Sequence, residues 1–128
     1  MSERLKFDKY LQTRTRIEWL SDPLQSDRLA ILREFLSGSS GYVFDCGCGE
    51  IEPVLVCNAE NAIALDIGIS GLRNLKVNKF KGHPILGSCT RLPFRDKCFE
   101  KSICSEVIEH LPTNLDVKRC INELERVS

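Results

Sequence analysis

The sequence lacks an excess of charge of either sign, because its 18 lysine and arginine residues equal its 18 aspartate and glutamate residues. A balanced chain has no global electrostatic attraction to nucleic acid or to an anionic membrane. The sequence also lacks any apolar run close to the roughly 20 residues that span a bilayer, and its first residues lack the apolar core of a signal peptide. We therefore expect a cytoplasmic protein that contacts no membrane and whose partner is not nucleic acid.

Metal-ligand patterns are scarce as well, because only two histidines are present and no Cys-x-x-Cys pair occurs. Neither His83 nor His110 is spaced with the cysteines as zinc ligands usually are. A disulfide framework does not suit a chain for which no export is expected. We therefore predict no bound metal and mostly buried thiols at the seven cysteines, which are Cys46, Cys48, Cys57, Cys89, Cys98, Cys104 and Cys120.

The length and composition suit one compact domain. The chain has 128 residues, of which 42% are hydrophobic and 28% are charged, and these values are ordinary for a globular protein. We expect residues 1–40 to form a helical arm, which either packs on the domain or closes over a ligand crevice as a lid. Residues 41–128 are expected to form the core of the same domain.

One stretch, residues 42–50, predicts both a backbone shape and a ligand site. Three β-favouring residues lead into Asp45 and then into Gly47 and Gly49, which is typical of a buried strand that ends in a tight turn. Glycine adopts positive φ angles cheaply, and its missing side chain lets a ligand approach the main chain. Asp45 is then expected at the carboxyl end of the strand, where open α/β sheets bind their ligands.

Strand and helix patterns alternate along the chain, which predicts an α/β fold with a parallel sheet and right-handed crossovers. The predicted elements are a helix from Pro23 to Leu36, a short helix over about 50–58, strands over 62–66, 83–86 and 99–104, a helix over 69–77, and a last helix after Thr113.

Helical spacing predicts which side chains these helices bury. In the first helix the apolar positions include Phe35 and Leu36. Thr113 and Asp116 are spaced as a capping box for the last helix. That helix has a predicted apolar face of Val117, Ile121 and Leu124, with Cys120 and Val127 beside it.

Two acidic residues end two successive predicted strands, since Asp66 follows Asp45 by 21 residues. In dinucleotide-binding folds the second such acid accepts hydrogen bonds from ribose hydroxyls. The turn here has no third glycine, and Glu50 and Glu52 would repel phosphate at the start of the next helix. The pattern favours a ligand that has a ribose and an amino group but no phosphate.

The run from Val43 to Gly49, Val-Phe-Asp-Cys-Gly-Cys-Gly, resembles motif I of the class I S-adenosylmethionine-dependent methyltransferases. Four further stretches agree with that family in order and spacing, namely residues 64–67, 86–89, 92–94 and 99–111. Several ordered motifs are together more specific than any one of them. The resemblance implies a Rossmann-like parallel sheet with strand order 3-2-1-4 and flanking helices, truncated after the fourth strand and its following helix.

By the same resemblance the cofactor is S-adenosyl-L-methionine, which leaves as S-adenosyl-L-homocysteine. Its ribose hydroxyls would lie on Asp66 and its adenine on Ile67, while Ser88 stands where the family usually has an acid for the adenine amino group. The Cys89 main chain would donate beside it. The predicted cofactor-binding residues are Asp45, Cys46, Gly47, Gly49, Asp66, Ile67, Ser88, Cys89 and Ser105.

Glu106, Glu109 and His110 follow the fourth predicted strand and are the candidate catalytic proton acceptors. In the alternative interpretation His110 caps the following turn and the glutamates only face solvent. The Glu-x-x-Glu-His run also resembles the metal-binding motif of the RNA 3′-terminal 2′-O-methyltransferases. That family has a further histidine downstream, which has no counterpart here, so we expect neither a metal nor an RNA substrate.

Two functions from different classes remain open. The first is an enzyme that transfers methyl to a small molecule or to a macromolecular group, and the second is a non-catalytic module that binds a cofactor or a partner. Because the resemblance stops before the fifth strand of the family fold, the fourth strand is expected to be an edge, with Ile103 and Val107 partly uncovered. A second copy or a partner chain would cover that edge. The methyl acceptor is not predicted.

Overall fold

The structure is a computed structural model that describes residues 23–49, 53, 56–105 and 107–128. The expected arm or lid before residue 23 lies outside the described residues, and so do Glu50, Ile51, Glu52 and Glu106. The elements are α1 (Pro23–Leu36), β1 (Val43–Cys46), β2 (Ala62–Asp66), α2 (Ile69–Val77), β3 (His83–Leu86), β4 (Lys101–Ile103), a 3-10 turn (Ile108–His110) and α3 (Asn114–Val127). None of the helices in these ranges is long and apolar enough for a bilayer span.

The four strands form one parallel sheet in the order β3-β2-β1-β4, which confirms the predicted topology. In its register Asp45 lies between Ala64 of β2 and Ile103 of β4. The bounds of β2, α2 and β3 agree with the prediction. Strand β4 is shorter than predicted, because the Phe99 amide donates to the Val127 carbonyl of α3 at 3.0 Å instead of continuing the ladder.

The two faces of the sheet bury different side chains, because neighbouring residues on a strand point to opposite sides. On one face, α1 covers a cluster made of Leu29, Leu36, Val43, Val56, Ala62 and Ile103. On the other face, α3 and the loop before β4 cover a cluster made of Phe44, Cys46, Leu65, Cys89, Leu92, Phe99, Cys120 and Val127. The prediction that Ile103 is partly uncovered was wrong, because α1 packs over it. Val107 is half-buried, as expected.

Two helix side chains are not buried as predicted. Ile121 is 42% exposed, because α3 is rotated so that Cys120 and Val127 face the sheet. Phe35 is exposed at the end of α1, where its ring lies under the Lys101 ammonium group, 5.3 Å from the ring centroid. The capping box of α3 was predicted correctly, since Thr113 Oγ1 accepts from the Asp116 amide at 3.1 Å.

Arg126 joins the end of α3 to the loop before β4. Its guanidinium donates to Glu123 at 2.8 Å and to the carbonyls of Phe94 and Leu92 at 2.7 and 3.1 Å. Glu123 in turn accepts from the Leu92 amide at 2.6 Å. This ion pair therefore satisfies three main-chain groups of the loop before β4, which are the Leu92 amide and the carbonyls of Leu92 and Phe94.

This ion pair predicts a pH-dependent contribution to stability. Hydrogen bonds from Arg126 lower the pKa of Glu123 from its ordinary 4.5, so the folded state holds the carboxylate more strongly than the unfolded state does. The stabilisation is therefore complete above about pH 4.5 and is lost as the pH falls through the folded-state value. We expect Glu123→Gln to lower the free energy of unfolding by about 0.5–1 kcal/mol at pH 7, because solvent screens a half-buried pair.

Urea unfolding at pH 7 and at pH 3.5 measures this difference, with Glu125→Gln, an exposed glutamate of the same helix, as the control. The gap between the original chain and Glu123→Gln should shrink at the lower pH. A gap of equal size at both pH values would contradict the assignment.

Candidate functional site

The glycine turn after β1 has the positive φ angles that the sequence predicts. Gly47 and Gly49 have φ angles of 75° and 62°, which lie in the left-handed region that favours glycine. Strand β2 holds this turn, because the amides of Gly47 and Cys48 both donate to the Leu65 carbonyl, at 2.8 and 3.0 Å. The turn is therefore built into the carboxyl edge of the sheet rather than projecting from it.

Gly47 is required by the protein's own packing as well as by its φ angle. A Cβ at this position would lie 2.2 Å from Cγ2 of Val107. Val107 follows β4, so the segment with the candidate catalytic residues packs directly on the glycine turn. The missing side chain at Gly47 therefore also makes room for Val107.

Asp66 ends β2, and its carboxylate forms a hydrogen bond with the same turn. One carboxylate oxygen accepts from the Gly49 amide at 2.8 Å, and the other accepts from the Gly68 amide at 2.8 Å; together these two bonds form the Asp66 clasp. The residue is 1% exposed. Its role as acceptor of hydrogen bonds from the ribose hydroxyls stays a prediction. What the structure shows is that Asp66 organises the turn.

Asp45 lies within β1, on the sheet face that α1 covers, and is 7% exposed. A small cavity adjoins it, with Pro53, Val56 and Phe80 among its lining residues. Burial, and secondly the negative charge of Asp45, raises the pKa of the Cys57 thiol. Asp45 lies one residue before the end of β1, and its role in binding a ligand stays a prediction.

The loop after β3 reaches the same edge of the sheet. The Gly87 amide donates to the Asp66 carbonyl at 3.0 Å. The Ser88 hydroxyl lies 2.8 Å from that of Thr90 and accepts from the Thr90 amide at 3.2 Å. The Cys89 side chain is buried in the core under α3, so this loop would offer a ligand its main chain and the hydroxyls of Ser88 and Thr90.

The remaining predicted cofactor residues fall into two groups. The side chain of Cys46 is 0% exposed and packs in the core, so only its main chain could take part in binding. Ile67 is exposed just after β2, where an apolar ligand face could pack on it. Ser105 follows β4 and accepts a hydrogen bond from the Arg28 guanidinium at 2.6 Å.

Arg28 was not among the predicted site residues. It lies on α1, 77 positions before the serine that it contacts. The residues around Arg28 in the sequence form no motif that would indicate this contact. The contact brings a permanent positive charge to the carboxyl edge of β4, beside the strand that carries Asp45. The signal that could have found it is the position of an arginine on an otherwise apolar helix face, next to Leu29.

The candidate catalytic pair is partly brought together. His110 Nε2 lies 3.8 Å from Glu109 Oε1, and both side chains are about half exposed. They sit on the 3-10 turn Ile108–His110 that follows Val107. Glu106 lies outside the described residues, so its place in this group stays a prediction.

The fold is similar to that of two solved methyltransferases. Geranyl diphosphate C-methyltransferase from Streptomyces coelicolor A3(2), solved with Mg²⁺, geranyl diphosphate and S-adenosyl-L-homocysteine, gives a TM-score of 0.68 at 13% identity, over 99% of this chain and 61% of that one. Haemonchus contortus phosphoethanolamine N-methyltransferase 1, solved with phosphoethanolamine and S-adenosylhomocysteine, gives 0.67 at 19% identity, over 97% of this chain and 28% of that one.

Sequence comparison gives the family. The uncharacterized protein MJ0638 of Methanocaldococcus jannaschii is 30% identical over 97 residues, which are 76% of this chain. The chain spans only 40% of that relative's length. Residues 44–128 match the family described as a methyltransferase domain. This match covers the glycine turn, the Asp66 clasp and the segment after β4, and the chain belongs to the class I S-adenosylmethionine-dependent methyltransferases.

Proposed function

We propose that the carboxyl edge of the sheet binds S-adenosyl-L-methionine and that the chain is the cofactor-binding part of an enzyme that methylates an unidentified acceptor. The observation that carries the proposal is the turn at Gly47 and Gly49, held by the Asp66 clasp. Its partly buried main chain offers acceptor carbonyls beside carboxylates, and such acceptors suit a ligand with hydroxyl and amino groups. The family membership and the S-adenosylhomocysteine complexes of the two similar structures support it.

The residues around the turn have complementary roles in this proposal. The methionine end of the cofactor would lie on Gly47 and Gly49, above the negative charge of Asp45. Asp66 would accept hydrogen bonds from the ribose hydroxyls, and Ile67 would pack on the adenine face. The loop at Ser88 would contact the adenine edge.

Arg28 supplies a charge that the predicted set lacked. The methionine end of the cofactor carries a carboxylate, and a guanidinium binds a carboxylate strongly through paired N–H donors. Arg28 already reaches Ser105 at this edge of the sheet, at 2.6 Å. We propose that Arg28 binds the cofactor carboxylate.

Methyl transfer from a sulfonium requires the protein mainly to position the nucleophile and the methyl group. The acceptor nucleophile attacks the sulfonium methyl, the carbon–sulfur bond breaks, and its electron pair stays on sulfur in S-adenosylhomocysteine. Alignment of nucleophile and methyl supplies most of the acceleration. If the nucleophile carries a proton, His110 or Glu109 would accept it, since both lie near the turn and are open to solvent.

Calorimetry with S-adenosylhomocysteine tests the proposed cofactor site. We expect a saturable binding heat with the whole chain, and none with ADP, whose phosphates the acidic turn disfavours. Arg28→Ala should weaken the affinity about tenfold, which corresponds to one charge-assisted hydrogen bond.

Arg33→Ala is the matched control, because Arg33 is an exposed arginine of the same helix. It should leave the affinity unchanged. The absence of any heat or thermal shift at millimolar ligand would overturn the cofactor proposal. Equal affinities for Arg28→Ala and Arg33→Ala would overturn the role of Arg28 alone.

Two further expectations belong to this proposal. Seven free thiols suit a reducing compartment, so we place the protein in the cytoplasm. In the described part of the chain β4 pairs with β1 alone, so we propose that a partner segment or a second copy pairs with its outer edge.

A further inference from the structure

Three cysteines that are far apart in the sequence lie close together on the face of the sheet that α3 covers. Cys46 ends β1, Cys104 directly follows β4, and Cys120 lies in the first half of α3. Their sulfur atoms all lie within 4.8 Å of one another. The register explains the meeting, because Asp45 pairs with Ile103 and the next residue of each strand turns to the opposite face, where α3 packs.

A fourth thiol joins them from the loop after β3. Cys89 is outside the group of three close sulfurs but interacts with the thiols of Cys46 and Cys120. Cys46 and Cys120 are fully buried, Cys89 is almost so, and Cys104 is partly buried. Three segments of the fold thus bring their sulfurs within 4.8 Å of one another, and a fourth segment places Cys89 beside two of them.

The thiols influence one another's proton affinity. Hydrogen bonds from Cys104, Cys46 and Cys89 lower the pKa of Cys120. The pKa values of two partners change in the opposite direction. The interaction with Cys120 raises the pKa of Cys89 to about 11 and that of Cys104 to about 12. The four side chains therefore interact as one group.

Buried free cysteines are common in protein cores, where they pack as small apolar side chains. Core packing alone does not require that three sulfurs from separate segments converge within 4.8 Å. Thiolates are strong ligands for soft metal ions. In a tetrahedral zinc site with Zn–S bonds of about 2.3 Å, the sulfurs are about 3.8 Å apart. The three close sulfurs are near that spacing, and a side-chain rotation of Cys89 would supply the fourth ligand.

We propose that Cys46, Cys89, Cys104 and Cys120 form a structural zinc site. Binding replaces the thiol protons by Zn²⁺ and releases them to solvent, with no change of oxidation state. The ion would join the glycine turn, the loop after β3, the end of β4 and α3. The expectation of no metal rested on spacing along the chain, which does not register ligands that a parallel sheet brings together. The proposal does not depend on cofactor binding.

The test uses the whole chain purified without added metal and stripped with a chelator. Titration with zinc should show one equivalent bound, with protons released into a weakly buffered solution. Zinc should also protect the four thiols from alkylation, as mapped by mass spectrometry. Cobalt(II) should give the charge-transfer absorption of a tetrahedral thiolate site.

The variants separate ligation from packing. Cys120→Ser should lower zinc affinity by more than about 100-fold, since losing a ligand should exceed the effect of losing a group that only orients one. Cys98→Ser is the matched control, because Cys98 packs on the same core but is not among the four thiols that interact with one another. It should keep full affinity.

Folding is checked by circular dichroism, and Cys89→Ser serves as a second, less buried test. A folded, reduced chain that binds no zinc at micromolar concentration overturns the proposal. So does a Cys120→Ser or Cys89→Ser chain that binds zinc as tightly as Cys98→Ser. Binding of S-adenosylhomocysteine is measured separately, and its failure would leave the zinc result intact.

Discussion

Replacing Gly47 with alanine should lower the free energy of unfolding by about 2–5 kcal/mol, because two separate penalties act at this position. An alanine at a φ of 75° costs about 1–2 kcal/mol in the left-handed region. Its Cβ would lie 2.2 Å from the Val107 side chain, and relieving such an overlap typically costs a further ~1–3 kcal/mol. Urea unfolding gives the total.

Gly38→Ala is the matched control for this prediction. Gly38 has nearly the same φ angle, 72°, and an added Cβ there would have no atom within 4 Å. It should show only the backbone penalty, which reduced freedom of the unfolded chain partly offsets. We therefore expect a loss of about 1 kcal/mol at Gly38.

A double substitution distinguishes the two penalties at Gly47. Val107→Ala removes the two methyl groups that a new Cβ would meet. In a Gly47→Ala, Val107→Ala chain the two changes should be non-additive, because the second relieves the overlap caused by the first. Equal losses for Gly47→Ala and Gly38→Ala, or full additivity in the double variant, would contradict the contact.

Asp66→Asn should be the second most costly change, at about 2–4 kcal/mol of unfolding free energy. Each carboxylate oxygen accepts a main-chain N–H at 2.8 Å, from Gly49 and from Gly68. Asparagine keeps one acceptor, but its amide nitrogen would face the second N–H and leave a buried donor without a partner. The loss arises without any ligand present.

Asp96→Asn is the control for this prediction, because Asp96 is an exposed carboxylate whose ion pair with Arg126 measures 2.9 Å. It should cost less than about 0.5 kcal/mol. A stable Asp66→Asn chain would show that the Asp66 clasp contributes little. The affinity of Asp66→Asn for S-adenosylhomocysteine has to be measured where the chain is folded, since otherwise an unfolded turn would be taken for a lost ribose contact.

The sequence predicts the order and type of the elements well for a physical reason. Strand β2 is an apolar run closed by Asp66, and α2 and β3 begin and end at similarly clear boundaries, so local residues determine their bounds. Strand β4 is shorter than predicted because Phe99 bonds to Val127. Val127 is distant from Phe99 in the sequence, so the residues near position 99 do not indicate this bond.

Side-chain orientation is harder to predict than element type. In α3 the apolar positions are compatible with more than one buried face, and packing of Cys120 under the sheet selects the face that leaves Ile121 exposed. The site shows the same division. The glycine turn and Asp66 are visible in adjacent residues, whereas Arg28 and the four thiols come together only through the register of parallel strands and the placement of α1 and α3.

The contact between Val107 and Gly47 has a consequence for how two ligands of this edge of the sheet would affect each other. The turn proposed to hold the cofactor and the segment that leads to Glu109 and His110 are packed on each other. A ligand that shifts the turn would therefore also shift that segment. Such coupling would be reciprocal, so that a ligand bound at Glu109 and His110 would change the cofactor's affinity by the same factor by which the cofactor changes its own.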